Sequence, residues 1–283
     1  ERATARNMFS VFGGVPAVTW IRDGRLRCTG AFTHPIIAGC FFASMLPAIY
    51  AGWRVDAGRR AIYALGGLAV LAIVFATSSA TPLMSIVFAG IAVALYPFRW
   101  AVRYIRIALL LAIIALDWVM KAPVYHLIGR IQLVGGTGYH RYNLIHAAVN
   151  NFGEWWLMGT RSTAHWGYGL DDVTNQFIAE GVVGGFPNMM IFILLLIIGY
   201  AGVGRAVRAL DAQGRSSLLA WCMGGVLFVH TMNFLAVTYF GQINVVWFLC
   251  LGILGNLCAA TSSVPSAVRP AAANSALSDM PRQ

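Results

Sequence analysis

The chain has 283 residues, of which 59% are hydrophobic and 11% charged, and its formal net charge is +10. A soluble domain carries roughly a quarter charged residues, so a water-soluble globular enzyme is excluded. The arginines lie scattered between apolar runs rather than on one face, which argues against nucleic acid as a partner.

Several apolar runs reach the ~20 residues that cross a hydrocarbon layer about 30 Å thick. The expected fold class is an all-α polytopic membrane protein. It has about seven transmembrane helices and one large outer loop containing short interfacial helices. The chain opens on Glu1-Arg2-Ala3, with neither Met nor a signal-peptide pattern, and a fragment of a longer protein is expected.

Residues 1–34 form a polar, Gly-rich loop with Arg2, Arg6, Arg22, Arg25 and Arg27. Residues 35–120 hold four predicted spans, at 35–53, 61–77, 82–98 and 107–120. The long loop covers 121–186, and three further spans, 187–203, 218–237 and 243–260, fill 187–260. The tail 261–283 is rich in Ala, Ser and Pro and reads as a disordered cytoplasmic segment. The links at 54–60, 99–106 and 204–217 carry three arginines each, whereas the turns at 77–82 and 237–243 carry none. Short basic links stay in the cytoplasm, so both uncharged turns, the loop 1–34 and the loop 121–186 are assigned outside. The five arginines of the first loop are then either tolerated there or bind a fixed anion. Arg suits the second role because its planar fork grips phosphate oxygens in pairs.

Within the long loop, Gly135-Gly136-Thr137-Gly138 lacks the Gly-Lys-Ser/Thr ending of a phosphate loop and reads as a flexible turn. From 140 to 152, Leu144, Ile145, Ala148, Val149 and Phe152 recur at helical spacing, with His146 and Asn150 together on one side. A helix lying in the interface is expected. Trp155 and Trp156 sit where an aromatic belt would be. Asp171-Asp172-Val173-Thr174-Asn175 has the look of a helix start, with Asp172 or Thr174 capping a helix over 175–183. Glu180, near the apolar start of the fifth span, needs a partner, and Arg161 or an arginine of the first loop is expected to supply it. Inside the spans, Asp117, His230, Asn233, Gln242, Asn244 and Asn256 are polar; interhelical hydrogen bonding is the default role of the amides and His230, while Asp117, near the outer end of its span, is open to solvation. The five cysteines show no ligand spacing, so neither disulfide nor metal is expected.

Several short motifs, in order, resemble the bacterial O-antigen ligase and polymerase superfamily of membrane glycosyltransferases. Arg27-Cys28-Thr29-Gly30-Ala31-Phe32-Thr33-His34-Pro35 is similar to an Arg-x-x-Gly-x-Phe/Thr segment ahead of a span. Thr77-Ser78-Ser79 resembles an outer Ser turn, and Arg141 an arginine ahead of a Trp-rich helix. Leu157-Met158-Gly159-Thr160 and Thr174-Asn175…Glu180-Gly181…Gly184 resemble the segments leading into the next span. Two departures stand out: Thr174 occupies the position of the family's histidine, its suspected base, and Ala80 that of an arginine in the Ser turn.

The resemblance implies transfer of a glycan from an undecaprenyl-diphosphate-linked donor to an acceptor hydroxyl, such as that of a glycan or a lipid A-core. It implies the outer face of a bacterial inner membrane, a role in cell-surface polysaccharide synthesis, and no cofactor. Cations must then stabilise the leaving diphosphate, for which Arg27, Arg141 and Arg161 are the candidates. With Thr174 in place of histidine, Asp172, Asp171 and His165 are the candidate bases. Asn175 and Glu180 are assigned to orienting the site. The rival readings are a transporter or flippase for a lipid-linked polysaccharide and a non-catalytic scaffold.

Overall fold

The computed structural model describes residues 1–120, 126 and 138–262, with the backbone alone at 261 and 262. The predicted glycine-rich turn over 135–137 and the tail from 263 lie outside the described residues.

Helix formation begins at His34. Its Nδ1 accepts the Ile36 N–H at 3.2 Å, and Pro35 takes a first-turn position where a missing N–H costs nothing. α1 (Pro35–Ser44) runs to Met45, and α2 (Leu46–Val55) continues it. The predicted single run is thus two helices, because Pro47 cannot donate to the ladder of α1. α3 (Arg60–Ala76), α4 (Ala80–Ala94) and α5 (Val102–Val119) follow. After the undescribed segment come α6 (Gly138–Asn150) and the single turn α7 (Phe152–Trp155). The last three helices are α8 (Gln176–Ala212), α9 (Leu218–Phe234) and α10 (Gln242–Ser262).

Four helical segments are long and apolar enough to cross a membrane: Pro35–Val55, Ala57–Ala76, Gln176–Ala212 and Gln242–Ala260. α4 and α9 are apolar but shorter, at 15 and 17 residues. α5 carries Arg103, Arg106 and Asp117 and buries none of its residues.

α9 is the axis of the bundle and touches α1, α2, α4, α8 and α10. Small residues let the backbones close in. A Cβ on Gly224 would meet Val203 at 2.7 Å, and one on Gly225 would meet Pro47 at 3.1 Å. The largest apolar cluster gathers Ile37, Phe192, Leu227, Phe234, Ile243 and Trp247, the rings meeting edge to face. At one end of the bundle, Arg99 forks onto Asp211 through bonds of 2.9 and 3.2 Å, and Ser217 donates to the same carboxylate at 2.7 Å. The turns 77–79 and 235–241 lie at the other end.

Two findings modify the predicted elements. The loop 1–34 contains a hairpin, β1 (Trp20–Arg22) paired with β2 (Arg25–Arg27), with Trp20 opposite Arg27. Its turn is Asp23-Gly24, both at positive φ, the pair that suits a tight hairpin. The predicted helix over 175–183 and the fifth span form one helix, α8, kinked at Gly184-Gly185 ahead of Pro187.

Candidate functional site

The turn between α3 and α4 gathers the arginines. Ser78 holds a left-handed conformation, φ +46, unusual for a residue with a side chain. Its hydroxyl donates to the Leu26 carbonyl at 3.1 Å, and the Cys28 N–H reaches Ala76 O at 3.1 Å, stitching β2 to the turn. Arg27 is thereby drawn inward until only 7% of it is exposed, and its Nη2 donates to Ser79 Oγ at 2.7 Å. Two residues on, Thr81 Oγ1 accepts from Arg141 Nη2 at 3.3 Å, and the same nitrogen reaches Ala236 O at 3.4 Å. Arg2, from the chain start, reaches Ser78 and Phe75 O on the same turn at 3.5 and 3.3 Å.

Two guanidinium groups, from β2 and from α6, thus bond Ser79, just before α4, and Thr81, in its first turn. Among the described residues neither has a carboxylate within ion-pair distance. Burial lowers the pKa of Arg27, with Arg22 adding to the effect and Asp23 opposing it; burial lowers that of Arg141 too. Both groups stay cationic at neutral pH. Each is a cation in a partly desolvated place, where an anion is held more strongly than in water.

Buried polar atoms without a hydrogen-bond partner are rare, and each costs about 1–3 kcal/mol. Those among the described residues are Arg27 Nε, Thr33 Oγ1, Thr174 Oγ1 and His230 Nε2. All four belong to segments that meet at this end of the bundle. Thr174 precedes Asn175, whose Nδ2 donates to Leu235 O at 3.4 Å. Thr238 donates to Val173 O, and the Tyr239 N–H donates to Gln176 Oε1 at 2.7 Å. Gln242 Nε2 donates to Ala31 O at 3.1 Å. Below them runs a buried chain. Ser85 donates to Asn233 Oδ1 at 2.6 Å, Asn233 Nδ2 to the Tyr239 hydroxyl at 3.4 Å, and that hydroxyl meets His230 Nδ1 at 2.7 Å. His230 and Asn233 are the hydrogen-bonded span residues the sequence leads one to expect, though their partner Tyr239 comes from a turn.

His34 also belongs here, and sequence reasoning passed over it. Its pKa is lowered, first by burial and then by the Arg27 guanidinium, while the Asp172 carboxylate pulls it up. Both charges therefore lie within electrostatic reach of His34. Because Nδ1 accepts the Ile36 N–H, the neutral ring carries its proton on Nε2 and is a donor at that atom. Trp20 and Phe240 meet the ring edge-on, with centroids 5.7 and 6.0 Å away.

The other predicted site residues divide. Asp172 is exposed beside His34. Asp171 is exposed with no hydrogen-bond partner among the described residues, and so is Arg161. His165 is exposed and bonds Glu154 Oε2 at 2.7 Å, while Trp166 Nε1 donates to the same oxygen at 3.1 Å. These two bonds hold the Glu154 carboxyl below the usual carboxylate range, Trp166 contributing most. The cap of α8 is neither Asp172 nor Thr174 but Asn175, whose Oδ1 accepts the Ile178 N–H at 3.2 Å. Asn175 sits one residue nearer the helix, where a side-chain oxygen reaches the free N–H groups of the first turn.

Glu180 pairs with no arginine among the described residues. Its two oxygens accept from Gln176 Nε2 and Asn188 Nδ2, each at 2.8 Å, and Asn188 also bonds Glu180 O across the kink. The kink frees backbone groups that the loop 156–160 satisfies. The Phe186 N–H donates to Trp156 O and the Thr160 N–H to Val182 O, both at 2.8 Å. Trp155 is a structural ring, buried against Gly181 with its Nε1 on Ala148 O at 2.8 Å. Trp156 is half exposed.

Among the described residues no group of three or more His, Cys, Asp or Glu is placed to hold a metal ion. The sequence matches no protein-family model and no curated protein.

Proposed function

We propose that the chain is a membrane glycosyltransferase of the O-antigen ligase and polymerase type. It would act on an undecaprenyl-diphosphate-linked glycan at the outer face of a bacterial inner membrane, with the arginine turn as its diphosphate site. The observation that carries this reading is that Arg27 bonds Ser79 and Arg141 bonds Thr81, two residues apart at the start of α4, while among the described residues neither guanidinium has a carboxylate within ion-pair distance. Seven spans, with α4, α5 and α9 added to the four long helical segments, bring the basic links 54–60, 99–106 and 204–217 to the cytoplasmic side. The arginine turn then faces outward.

In this reading the acceptor oxygen attacks the anomeric carbon as the bond from that carbon to the diphosphate oxygen breaks. Arg27 and Arg141 take up the charge that develops on the leaving diphosphate, in a site already oriented for it. The His34 Nε2–H is a further donor. Its tautomer argues against His34 as the base, which leaves Asp172 to receive the hydroxyl proton. Asp171, His165 and Arg161 drop behind as candidates because no contact joins them to the pair. Asn175 and Glu180 hold the frame of α8.

A transporter would have its helix break deep in the membrane, lining a path. Here the break at 184–185 is filled by the loop 156–160, which favours the enzyme.

The test is transfer in proteoliposomes from a radiolabelled undecaprenyl diphosphate glycan to an acceptor glycan. Arg27→Ala and Arg141→Ala should each lower the rate by about 100-fold or more, as loss of one charge-stabilising donor does. Asp172→Asn should lower it comparably while donor binding is kept. Transfer at the parental rate in both arginine variants would sink the proposal.

A further inference from the structure

A second feature of the long loop lies on the other side of α6. The positions Tyr139, Asn143, His146 and Asn150 are spaced by four, three and four residues and form one stripe of the helix. Arg141, Leu144, Ile145 and Ala148 form the opposite stripe, which faces the bundle; Leu144 and Ala148 are buried and Ile145 packs beside them. The outward stripe and the segment 166–170 enclose a cleft of about 580 Å³. That is within the roughly 300–1,000 Å³ of small-molecule sites.

The lining of the cleft is specific in kind. Trp166 and Tyr168 belong to the lining, and none of the described lining residues is Asp, Glu, Lys or Arg. Tyr139 is 64% exposed and Tyr168 fully so, which places both rings where folding makes little use of them. Trp166 is set differently. Its Nε1 is tied to Glu154, and His165 braces the same carboxylate oxygen, so the ring is a fixed platform rather than a free side chain. Flat rings with side-chain amides between them match a pyranose, which has an apolar C–H face and a rim of hydroxyls that both give and take hydrogen bonds. Without Lys or Arg among the described lining residues, uronic acids and phosphorylated sugars would lose water there without gaining a fixed cationic partner.

We propose that this cleft binds a neutral glycan, with Trp166, Tyr168 and Tyr139 stacking on sugar faces and Asn143 and Asn150 reading hydroxyls. The link between the cleft and transfer rests on the reading given under Proposed function; the cleft itself does not. α6 separates it from Arg141 by the width of a helix, about 10 Å. The cleft therefore recognises sugars beyond the one whose bond is broken, and sets which glycan is accepted rather than how fast the bond breaks. Glu154 and His165 are positioning residues for the Trp166 platform.

The experiment uses the full chain in nanodiscs on an array of neutral and anionic oligosaccharides, followed by solution titration with the strongest neutral binder. Saturable binding of neutral members is expected. Tyr168→Ala and Trp166→Ala should each weaken it roughly fivefold to tenfold, with partial recovery in Trp166→Phe. Arg27→Ala should bind the free glycan as the parent does. If the donor supplies the glycan, linking it to undecaprenyl diphosphate tightens binding in an Arg141-dependent way; if the acceptor does, free and linked forms bind alike. Absence of binding to every neutral member, or binding indifferent to Tyr168→Ala and Trp166→Ala combined, overturns the proposal. Glycan binding without any transfer would remove the transferase reading and leave the cleft standing.

Discussion

Replacing Gly185 by alanine tests how the long loop is fastened to α8. Gly185 has φ +79 and ψ 177, a region essentially reserved for glycine, and forcing another residue there costs about 1–3 kcal/mol. The new Cβ would also lie 2.3 Å from the carbonyl oxygen of Leu157 and 2.5 Å from its carbonyl carbon. Both are backbone atoms, so the contact cannot be relieved by rotating a side chain, and the segment 156–158 must move. That movement breaks the Phe186 N–H bond to Trp156 O and strains the Thr160 N–H bond to Val182 O, each worth about 1 kcal/mol. Docking of the loop should weaken by about 3–5 kcal/mol. Limited proteolysis reads this directly, because cleavage follows the population of the open loop when opening and closing are fast. Cleavage between 153 and 171 should accelerate at least about 100-fold. Transfer should fall as well, since Trp155 connects this loop to α6, the helix that carries Arg141. A cleavage rate within twofold of the parent would refute the argument that Gly185 is required by close backbone approach.

Three further outcomes follow from the hydrogen bonds. Asn175→Ala should cost about 1 kcal/mol through loss of the α8 cap, whereas Asn175→Asp should keep the cap and lose only the bond to Leu235; thermal unfolding in detergent distinguishes them. His34→Asn should retain the cap on α1 and reduce transfer, because the amide supplies an acceptor for Ile36 but no ring N–H. The folded pKa of His34 lies below its unfolded value of 6.5, so its contribution to stability is complete above that pH and declines as pH falls from 6.5 towards the lower folded value. A melting profile of His34→Asn as steep as the parent's over that interval would contradict this. Glu154 has the opposite ionisation, and its depressed pKa means that the bonds to Trp166 and His165 persist below pH 4.5 and are lost only as pH falls through the lower folded value. The acid change in tryptophan emission should vanish in Glu154→Gln; its persistence would place the titrating group elsewhere.

Much of the frame was legible because it depends on local chemistry. Pro35 marks a helix start by what its backbone can and cannot do, whereas Gly184-Gly185 ahead of Pro187, expected to separate a short helix from a span, instead kinks one continuous helix. The helix over 138–150 announced itself through apolar positions at helical spacing. Asp23-Gly24 carried a hairpin signal that the sequence reading did not use, and that hairpin is what turns Arg27 inward. The partners of Glu180 were misjudged because charge was weighed above reach. Gln176 lies four residues before it and Asn188 eight residues after it, across a kink that brings the amide back.

The sequence by itself determined that this chain carries apolar helices of membrane-spanning length and that its polar residues cluster in two loops. Composition and the 3.6-residue period are properties of single segments, so they survive without knowledge of neighbours. Which of the many arginines matters was decided only in three dimensions. Arg27 and Arg141 are 114 positions apart in the chain, and only the folded arrangement of the N-terminal hairpin, the start of α4 and α6 brings them to Ser79 and Thr81. His34 shows the same limit. Burial lowers its pKa most, and the charges that adjust it further, Arg27 and Asp172, arrive from other parts of the fold. Electrostatic environment is a sum over spatial neighbours, and that sum exists only once the chain has folded.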